Sequence, residues 1–448
     1  MTSGSILTQK RIFRFWAPLA ATWLMMAVEG PYLAAIIARL PMEKINLAAY
    51  GVAYALALVV EAPVIMLLSA SISLVTDRSS FYRLRNFTYL LSGAISILML
   101  ILVMPSIFYY IAGHWIGLSG EVAEICHESL IALTPWPAAI GYRRFYQGVL
   151  IRNNYSRRVA YGTIIRMASM SVCAFVLFYM KLLPGAVVGA TALSCGVVME
   201  AIASRIMTHS LVREIRSKKL QPGEIQDKNL SYHTIWKFYS PLMMTSFLGL
   251  AIQPLVTLFV GQSRLALESL AVLPVVNALV FLFRALGLSF QEVVVALMGE
   301  KQEGYYALRR FGRGMALITS GLLSIIAFTP LASIWYLHIS GLSPELTGLA
   351  VITTRILSLM PALMVFLSFQ RGLLVSSRKT FPATIASGLE VGSIILIMLA
   401  GVGLFNAVGA IIAAIAMMLG RMMANLYLAL PLKKNQKSVQ IQSIGQTE

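Results

Sequence analysis

Long apolar runs separated by short polar breaks dominate the chain. Between charged residues the runs occupy 15–38, 47–75, 87–112, 122–151, 159–182 and 186–207, and then 235–260, 270–298, 315–338, 346–375, 382–402 and 407–432. A helix of roughly 20 such residues crosses about 30 Å of hydrocarbon. In lipid a crossing segment has to satisfy its own backbone N–H and C=O groups, so runs of this length predict helices and not open strands. The expected fold class is therefore all-α: a polytopic membrane protein of about twelve transmembrane helices.

The runs come in two sets of six, and a shift of 223 or 224 residues brings the sets into register. Phe15, Pro18, Leu19, Thr22 and Pro31 then fall on Phe238, Pro241, Leu242, Thr245 and Pro254. Leu84, Arg85 and Phe87 fall on Leu308, Arg309 and Phe311, Gly117-Leu118-Ser119 on Gly341-Leu342-Ser343, and Pro137, Phe145, Gly148 and Leu150 on Pro361, Phe369, Gly372 and Leu374. Coincident Pro, Gly and Arg at a nearly constant shift are hard to obtain by chance matching of apolar residues, so the pattern reads as a duplication. Six is an even number, which makes the repeats parallel and their pseudo-two-fold axis normal to the membrane. The expected organisation is an N-terminal six-helix lobe (1–208), a cytoplasmic linker (209–233), a C-terminal six-helix lobe (234–432) and a cytoplasmic tail (433–448).

Composition supports lipid as the solvent. The 448 residues are 58% hydrophobic and 12% charged, against about 25% charged in a soluble domain. The net charge of +18 raises nucleic acid as a partner, but its distribution excludes that reading. Arg78, Arg83 and Arg85 share one connection, Arg152, Arg157 and Arg158 another, and Arg213, Arg216, Lys218 and Lys219 a third, whereas 117–121, 341–345 and 403–406 hold no Lys or Arg. Alternation of this kind is the positive-inside pattern, and it predicts both termini and the 209–233 linker on the cytoplasmic side of an inner (plasma) membrane. Basic loops beside anionic lipid account for the high pI. Cys126, Cys173 and Cys195 lie singly in apolar runs, without the spacings of metal sites or disulfide frameworks.

Charges inside the runs are the functional candidates, because each costs a few kcal/mol or more at the bilayer centre unless paired or hydrated, by about 2.5–3.5 kcal/mol on insertion scales. They are Glu29, Glu61, Arg166, Glu200, Arg284, Glu292, Arg355 and Glu390. In the repeat register Glu61 falls on Arg284 and Arg166 on Glu390, so equivalent positions carry opposite charge. Two readings stand: salt bridges between the lobes that open and close, or neutralisation within each half. Glu29 precedes Gly30 and Pro31, where a helix is expected to break or kink, and a desolvated carboxylate there suits a coupling site for a proton or sodium. Tyr54, Asn277, Arg284, Gln291, Glu292 and Arg355 are the expected lining of a polar substrate cleft, although single polar residues also join helices in lipid. Arg143, Arg144, Arg371 and Arg378 read as topology anchors at cytoplasmic ends. The sequence lacks GxSxG, HExxH and the phosphate-binding Gly-Lys loop, so neither an enzyme nor ATP hydrolysis by this chain is expected.

The six-plus-six repeat, the Pro-Leu pair entering each first helix, and Gln147-Gly148-Val149-Leu150-Ile151 after the fourth resemble the multidrug and toxic compound extrusion (MATE) class of the MOP flippase superfamily. Ala49-Tyr50-Gly51-Val52-Ala53-Tyr54 and 148–156 are most similar to the progressive ankylosis membrane proteins, the likeness being best over 15–166. The resemblance implies two six-helix lobes around a cleft lined by the first, second, seventh and eighth helices, and export by alternating access. Relatives of this kind use an acid in the first or seventh helix for cation coupling; Glu29 is similar to the former, and the seventh helix has none. Ankylosis relatives are associated with organic anions and pyrophosphate, which Arg284 and Arg355 suit better than a lipophilic cation. The expectation is a monomeric, cation-coupled exporter of a small molecule, an antiporter without a cofactor and without nucleic acid. A lipid-linked saccharide flippase and a non-transporting structural or regulatory membrane protein are the alternatives.

Overall fold

The computed structural model describes residues 7–75, 77–153, 155–217, 231–299, 302–376 and 381–444. Lys218, Lys219, Pro222 and Gly223 of the expected linker, Arg378, and positions 445–448 of the expected tail lie outside the described residues. The fold is all-helical and polytopic, as the hydrophobic pattern predicts. In chain order the long helices are α1 (Gln9–Ala38), α2 (Glu43–Leu74), α3 (Arg78–Val103), α4 (Gly120–Ala132 and Trp136–Arg152), α5 (Ser156–Met180) and α6 (Gly185–Met207). They continue as α7 (Tyr232–Gly261), α8 (Ala266–Leu297), α9 (Tyr305–Phe328), α10 (Pro344–Leu374), α11 (Phe381–Gly403) and α12 (Gly409–Ile444).

Eleven helices among the described residues are long and apolar enough to cross a membrane. The exception is α4, which carries Glu121, Glu124 and Glu128 in its first segment and Arg143, Arg144 and Arg152 in its second. Two further expectations are modified. Helix α1 runs unbroken past Glu29, Gly30 and Pro31; a proline removes one backbone hydrogen bond, which a packed span tolerates, and a Cβ at Gly30 would stand 3.2 Å from Ala278 Cβ of α8. Helix α12 continues to Ile444, through part of the segment read as a tail.

The duplication is written into local geometry. A π-helical turn, rare in any protein, occurs at Ile111–Ile116 and again at Ile334–Ile339. A left-handed glycine follows each, Gly117 directly and Gly341 after Ser340, both at φ 77°. The N–H of Leu118 reaches back to Ala112 O (2.9 Å) and that of Leu342 to Tyr336 O (2.8 Å). Met42 (φ 59°) and Leu265 (φ 54°) open α2 and α8 in the same left-handed conformation. Helix approaches repeat too. A Cβ at Gly196 of α6 would meet Met170 Cβ at 2.9 Å and Arg166 O at 3.0 Å; one at Gly420 of α12 would meet Ile394 Cγ1 at 2.9 Å and Glu390 O at 3.0 Å. The same offset of 224 relates all three members of the two contacts.

Packing divides the chain into two compact units, but not at the boundary the repeat suggests. The first unit is Leu33–Gln262; the second combines Met1–Tyr32 with Ser263–Glu448. Most of α1 thus packs with the C-terminal helices, and α7 with the N-terminal ones. In the second unit Ile12 of α1 is fully buried in a core with Phe290, Val293, Leu308, Met315 and Val365, and Trp16 Nε1 donates to Ser289 Oγ at 2.8 Å. In the first unit the Tyr239 ring of α7 packs edge-on against Phe87 at 5.4 Å, and its hydroxyl donates to the Pro63 carbonyl. Because α1 and α7 occupy equivalent places in the repeat, each finds in the other half the kind of surface its own half offers, the condition under which element exchange costs little.

Polar caps fix the helix starts that position the site. Asn46 Oδ1 accepts from Ala186 N at 2.8 Å, satisfying one of the free N–H groups at the start of α6. In the second unit the Arg264 carbonyl does this for Gly409 at the start of α12, at 3.1 Å. Replacing Gly196 or Gly420 by valine is expected to push these helix pairs apart and lower stability by about 1–3 kcal/mol, the usual cost of overpacking; thermal unfolding of the purified protein in detergent measures it.

Candidate functional site

Each unit buries a cluster of charged side chains. In the first unit its centre is Glu200 on α6, 1% exposed. Arg143 of α4 donates to Glu200 Oε2, Gln147 Nε2 to Oε1 at 3.0 Å, and Arg166 Nη1 of α5 lies 3.7 Å from Oε2. Arg143 and Gln147 are four residues apart, so one face of α4 presents both. Gly196, one turn before Glu200, admits the α5 backbone at Arg166 and so brings the fifth helix within reach. Glu61 of α2 is 5% exposed; its Oε2 is buried without a hydrogen bond, and Arg144, Arg143 and Arg166 are the cations acting on it.

In the second unit two of these places carry the opposite sign, Arg284 at the equivalent of Glu61 and Glu390 at that of Arg166. Arg421 of α12 pairs with Glu390 of α11, Nη2 to Oε1 at 2.7 Å, and its Nη1 contacts Met364 Sδ at 3.1 Å. Arg371 of α10, which the register places on Gln147, donates to Ser387 Oγ at 2.9 Å. Arg284 of α8 has Arg421 and Glu390 as its charged neighbours, and its Nε is buried without a hydrogen bond. The opposite charges at Arg166 and Glu390 thus have a local cause. Where the fifth helix of a unit is cationic the sixth is anionic, and where the eleventh is anionic the twelfth is cationic.

Of the two readings of Arg166 and Glu390, neutralisation within each half has a partner in the structure, Glu200 for Arg166 and Arg421 for Glu390. A buried ion that lost its counter-charge would expose itself to several kcal/mol of desolvation, and a partner in the same helix bundle avoids that. Arg143, Arg144 and Arg371 are corrected from anchors at helix ends to members of these clusters: Arg143 is 4% exposed, and the Nε atoms of Arg144 and Arg371 are buried. Of the residues central to the clusters, Glu200 was among the intramembrane charges named from the sequence, without a partner assigned to it, and Arg421 was not singled out. The signal for Arg421 was its place in an apolar run one turn from the equivalent of Glu200.

Glu29 is buried in α1, 6% exposed. Tyr54 stands in an aromatic row, 6.0 Å from the Tyr50 ring and 5.7 Å from that of Trp136. Asn277 has its Oδ1 buried without a hydrogen bond, Gln291 is half-buried, and Glu292 is exposed and hydrogen-bonded to Trp23. Arg355 is exposed; its Nε donates to Ala327 O at 3.0 Å and its guanidinium lies 5.7 Å from the Phe328 ring centroid, at the C-terminal end of α9. Cys173 and Cys195, read singly in the sequence, are hydrogen-bonded neighbours between α5 and α6, both as free thiols.

No protein-family model and no curated protein matches the chain. Solved structures do. A multidrug resistance MATE family transporter of the MOP superfamily, in an inward-facing conformation, aligns with a TM-score of 0.68 at 15% identity over 93% of this chain and 96% of its own. The lipid II flippase MurJ, in an inward closed conformation, aligns at 0.71 with 15% identity over 96% and 91%. A MOP superfamily transporter from Pyrococcus furiosus, described as having a binding pocket of reverse polarity, aligns at 0.65 with 14% identity over 97% of both chains. The chain therefore has the fold of MOP-superfamily membrane transporters along nearly its whole length.

Substituting Glu200 by glutamine strands Arg143 and Arg166 and is expected to destabilise the protein by about 3–5 kcal/mol, as breaking buried pairs does. Adding Arg143→Leu to Glu200→Gln is expected to recover part of that loss, read as the thermal midpoint in detergent.

Proposed function

We propose that the protein is a secondary-active exporter of a small organic anion, pyrophosphate being one candidate, coupled to a proton or sodium gradient and working by alternating access. The observation that carries this reading is the whole-length fold shared with membrane transporters, in a chain that has no nucleotide-binding motif of its own. The charge balance of the clusters favours an anion. The first unit buries Arg143, Arg144 and Arg166 against Glu61 and Glu200; the second sets Arg284, Arg371 and Arg421 against Glu390. In both, guanidiniums outnumber carboxylates. Arg284 is the substrate contact in this reading, together with Tyr54, Asn277 and Gln291, and Glu29 is the coupling carboxylate. The location that follows is an inner membrane with cytoplasmic termini, the active form a monomer, and the resemblance of 49–54 and 148–156 to progressive ankylosis proteins the reason to include pyrophosphate.

A second reading is favoured by the fold match to the lipid II flippase: translocation of a lipid-linked saccharide, whose diphosphate the same arginines would receive. A lipid-flipping assay separates the two.

Proteoliposomes offered citrate, pyrophosphate and an organic cation, with and without pH and sodium gradients, test the proposal. Gradient-dependent movement of an anion, with none of the cation, is expected. Arg284→Gln is expected to lower anion transport by at least about tenfold, since truncating one member of a buried charge-assisted contact costs about 2–5 kcal/mol. Glu29→Gln is expected to leave binding intact and remove the response to the gradient. Transport of the cation alone, or an unaltered gradient response in Glu29→Gln, is the result that would overturn the assignment.

A further inference from the structure

The second unit contains a groove whose counterpart in the first unit is filled by the chain itself. It encloses about 350 Å³ and is walled by Tyr305, Arg309 and Arg313 of α9, Phe366 and Gln370 of α10, and Ala429 of α12. Arg309 and Arg313 are four residues apart and share one face of the helix, with Tyr305 a turn before them. Both arginines are exposed and neither forms an ion pair among the described residues. Arg309 lies 5.9 Å from the Tyr305 ring centroid.

In the repeat register Arg313, Phe366, Gln370 and Ala429 correspond to Tyr89, Tyr142, Tyr146 and Arg205. There the Tyr89 and Tyr142 rings stack at 5.8 Å, the Tyr89 and Tyr146 hydroxyls are hydrogen-bonded at 2.9 Å, and the Arg205 guanidinium sits 5.4 Å from the Tyr146 ring. Three tyrosines occupy the place that in the second unit is open. Four side chains differ, Tyr89 to Arg313, Tyr142 to Phe366, Tyr146 to Gln370 and Arg205 to Ala429, so bulk is lost from the α10 and α12 walls and the guanidinium moves from the α12 wall to α9 beside Arg309.

Arg313 lies eight residues into a membrane-spanning helix, about 12 Å along its axis from Tyr305. A guanidinium at that depth requires water, a snorkelling route to the surface, or an anion. The anion present at that level of a bilayer is the phosphodiester of a phospholipid. Phe366, 40% exposed, offers an apolar wall for its chain. No carboxylate lines the groove, so the ammonium of a zwitterionic headgroup would meet only like charge, whereas a phosphodiester of net negative charge meets two donors.

We infer that this groove binds the headgroup of one anionic phospholipid, held by Arg309 and Arg313. Native mass spectrometry of the full chain in detergent, titrated with phosphatidylglycerol, is expected to show a tight adduct that phosphatidylcholine does not form and inorganic phosphate does not displace. Arg309→Gln with Arg313→Gln is expected to weaken it about 30-fold, each basic residue at an anionic surface being worth roughly 1 kcal/mol. Arg313→Tyr with Gln370→Tyr restores two of the first unit's rings and removes one of the two cations, and is expected to abolish the adduct while the thermal midpoint in detergent stays unchanged. Arg85→Gln, in the equivalent position of the other unit, is expected to keep it. Equal binding of phosphatidylcholine, displacement by inorganic phosphate, or an adduct that survives Arg313→Tyr with Gln370→Tyr overturns the inference.

Discussion

A charge carried into an apolar helix bundle has to be neutralised by the bundle that buries it, and this constraint organises both units. The desolvation penalty of an ion in a low-dielectric interior is several kcal/mol even after relaxation, while a surface ion pair is worth at most about 1 kcal/mol. Neither Glu200 nor Glu390 has water to fall back on, being 1% and 3% exposed. Each is therefore tied to arginine on neighbouring helices. Each buried carboxylate has a guanidinium from a neighbouring helix beside it, so a sign can differ between equivalent positions where a partner of opposite sign lies within reach. Arg166 and Glu390 are such equivalent positions, the first beside Glu200 and the second beside Arg421, which stands one turn before the equivalent of Glu200.

Close helix approach makes the pairing possible. Gly196 and Gly420 let α6 and α12 lie against the backbones of α5 and α11 at Arg166 and Glu390, and small residues are what permits such contacts where lipid supplies no hydrophobic drive between helices. A similar pair of contacts sets α2 against α4 and α8 against α10. A Cβ at Gly141 would meet Val64 Cγ1 at 3.0 Å, and one at Gly287, the register equivalent of Val64, would meet Val365 Cγ2 at 3.1 Å. Here the glycine has moved to the other helix of the pair while the contact is kept. What the duplication preserves is a distance between helices, achieved by whichever partner is small.

The sequence made the spans, the repeat and the all-helical class legible because all three are periodicities along the chain, set by hydrocarbon thickness and by backbone hydrogen bonding. Even α4, which is broken into segments of 13 and 17 residues, was visible as the apolar run 122–151. Proximity was less legible. The register identified Arg166 and Glu390 as equivalent, and equivalence says nothing about which neighbour each one meets. That depends on the rotation of α5 and α6 about their axes, which no single segment encodes. Arg143 and Arg144 lie near the end of α4 by counting and inside the bundle by packing, so a reading based on position along the run placed them with the lipid headgroups. The substrate cleft candidates were chosen on polarity alone, and polarity does not distinguish Arg355, committed to the Ala327 carbonyl, from Arg284, whose Nε remains without a hydrogen bond.

The exchange of α1 and α7 has a consequence for how the chain is made. A nascent polypeptide that has emerged as far as Ser217 has α2 to α6 in hand but not the helix whose Tyr239 packs on Phe87 and caps the Pro63 carbonyl. Conversely, Ile12 and Trp16 are synthesised first and find their core of Phe290, Leu308 and Val365 last. Neither half-sequence contains a whole packing unit, so gene fragments cut at the repeat boundary would encode two incomplete bundles, each missing the opening helix that the other carries. Duplication gave the protein two copies of one design, and the crossed first helices ensure that the copies mature as a single object.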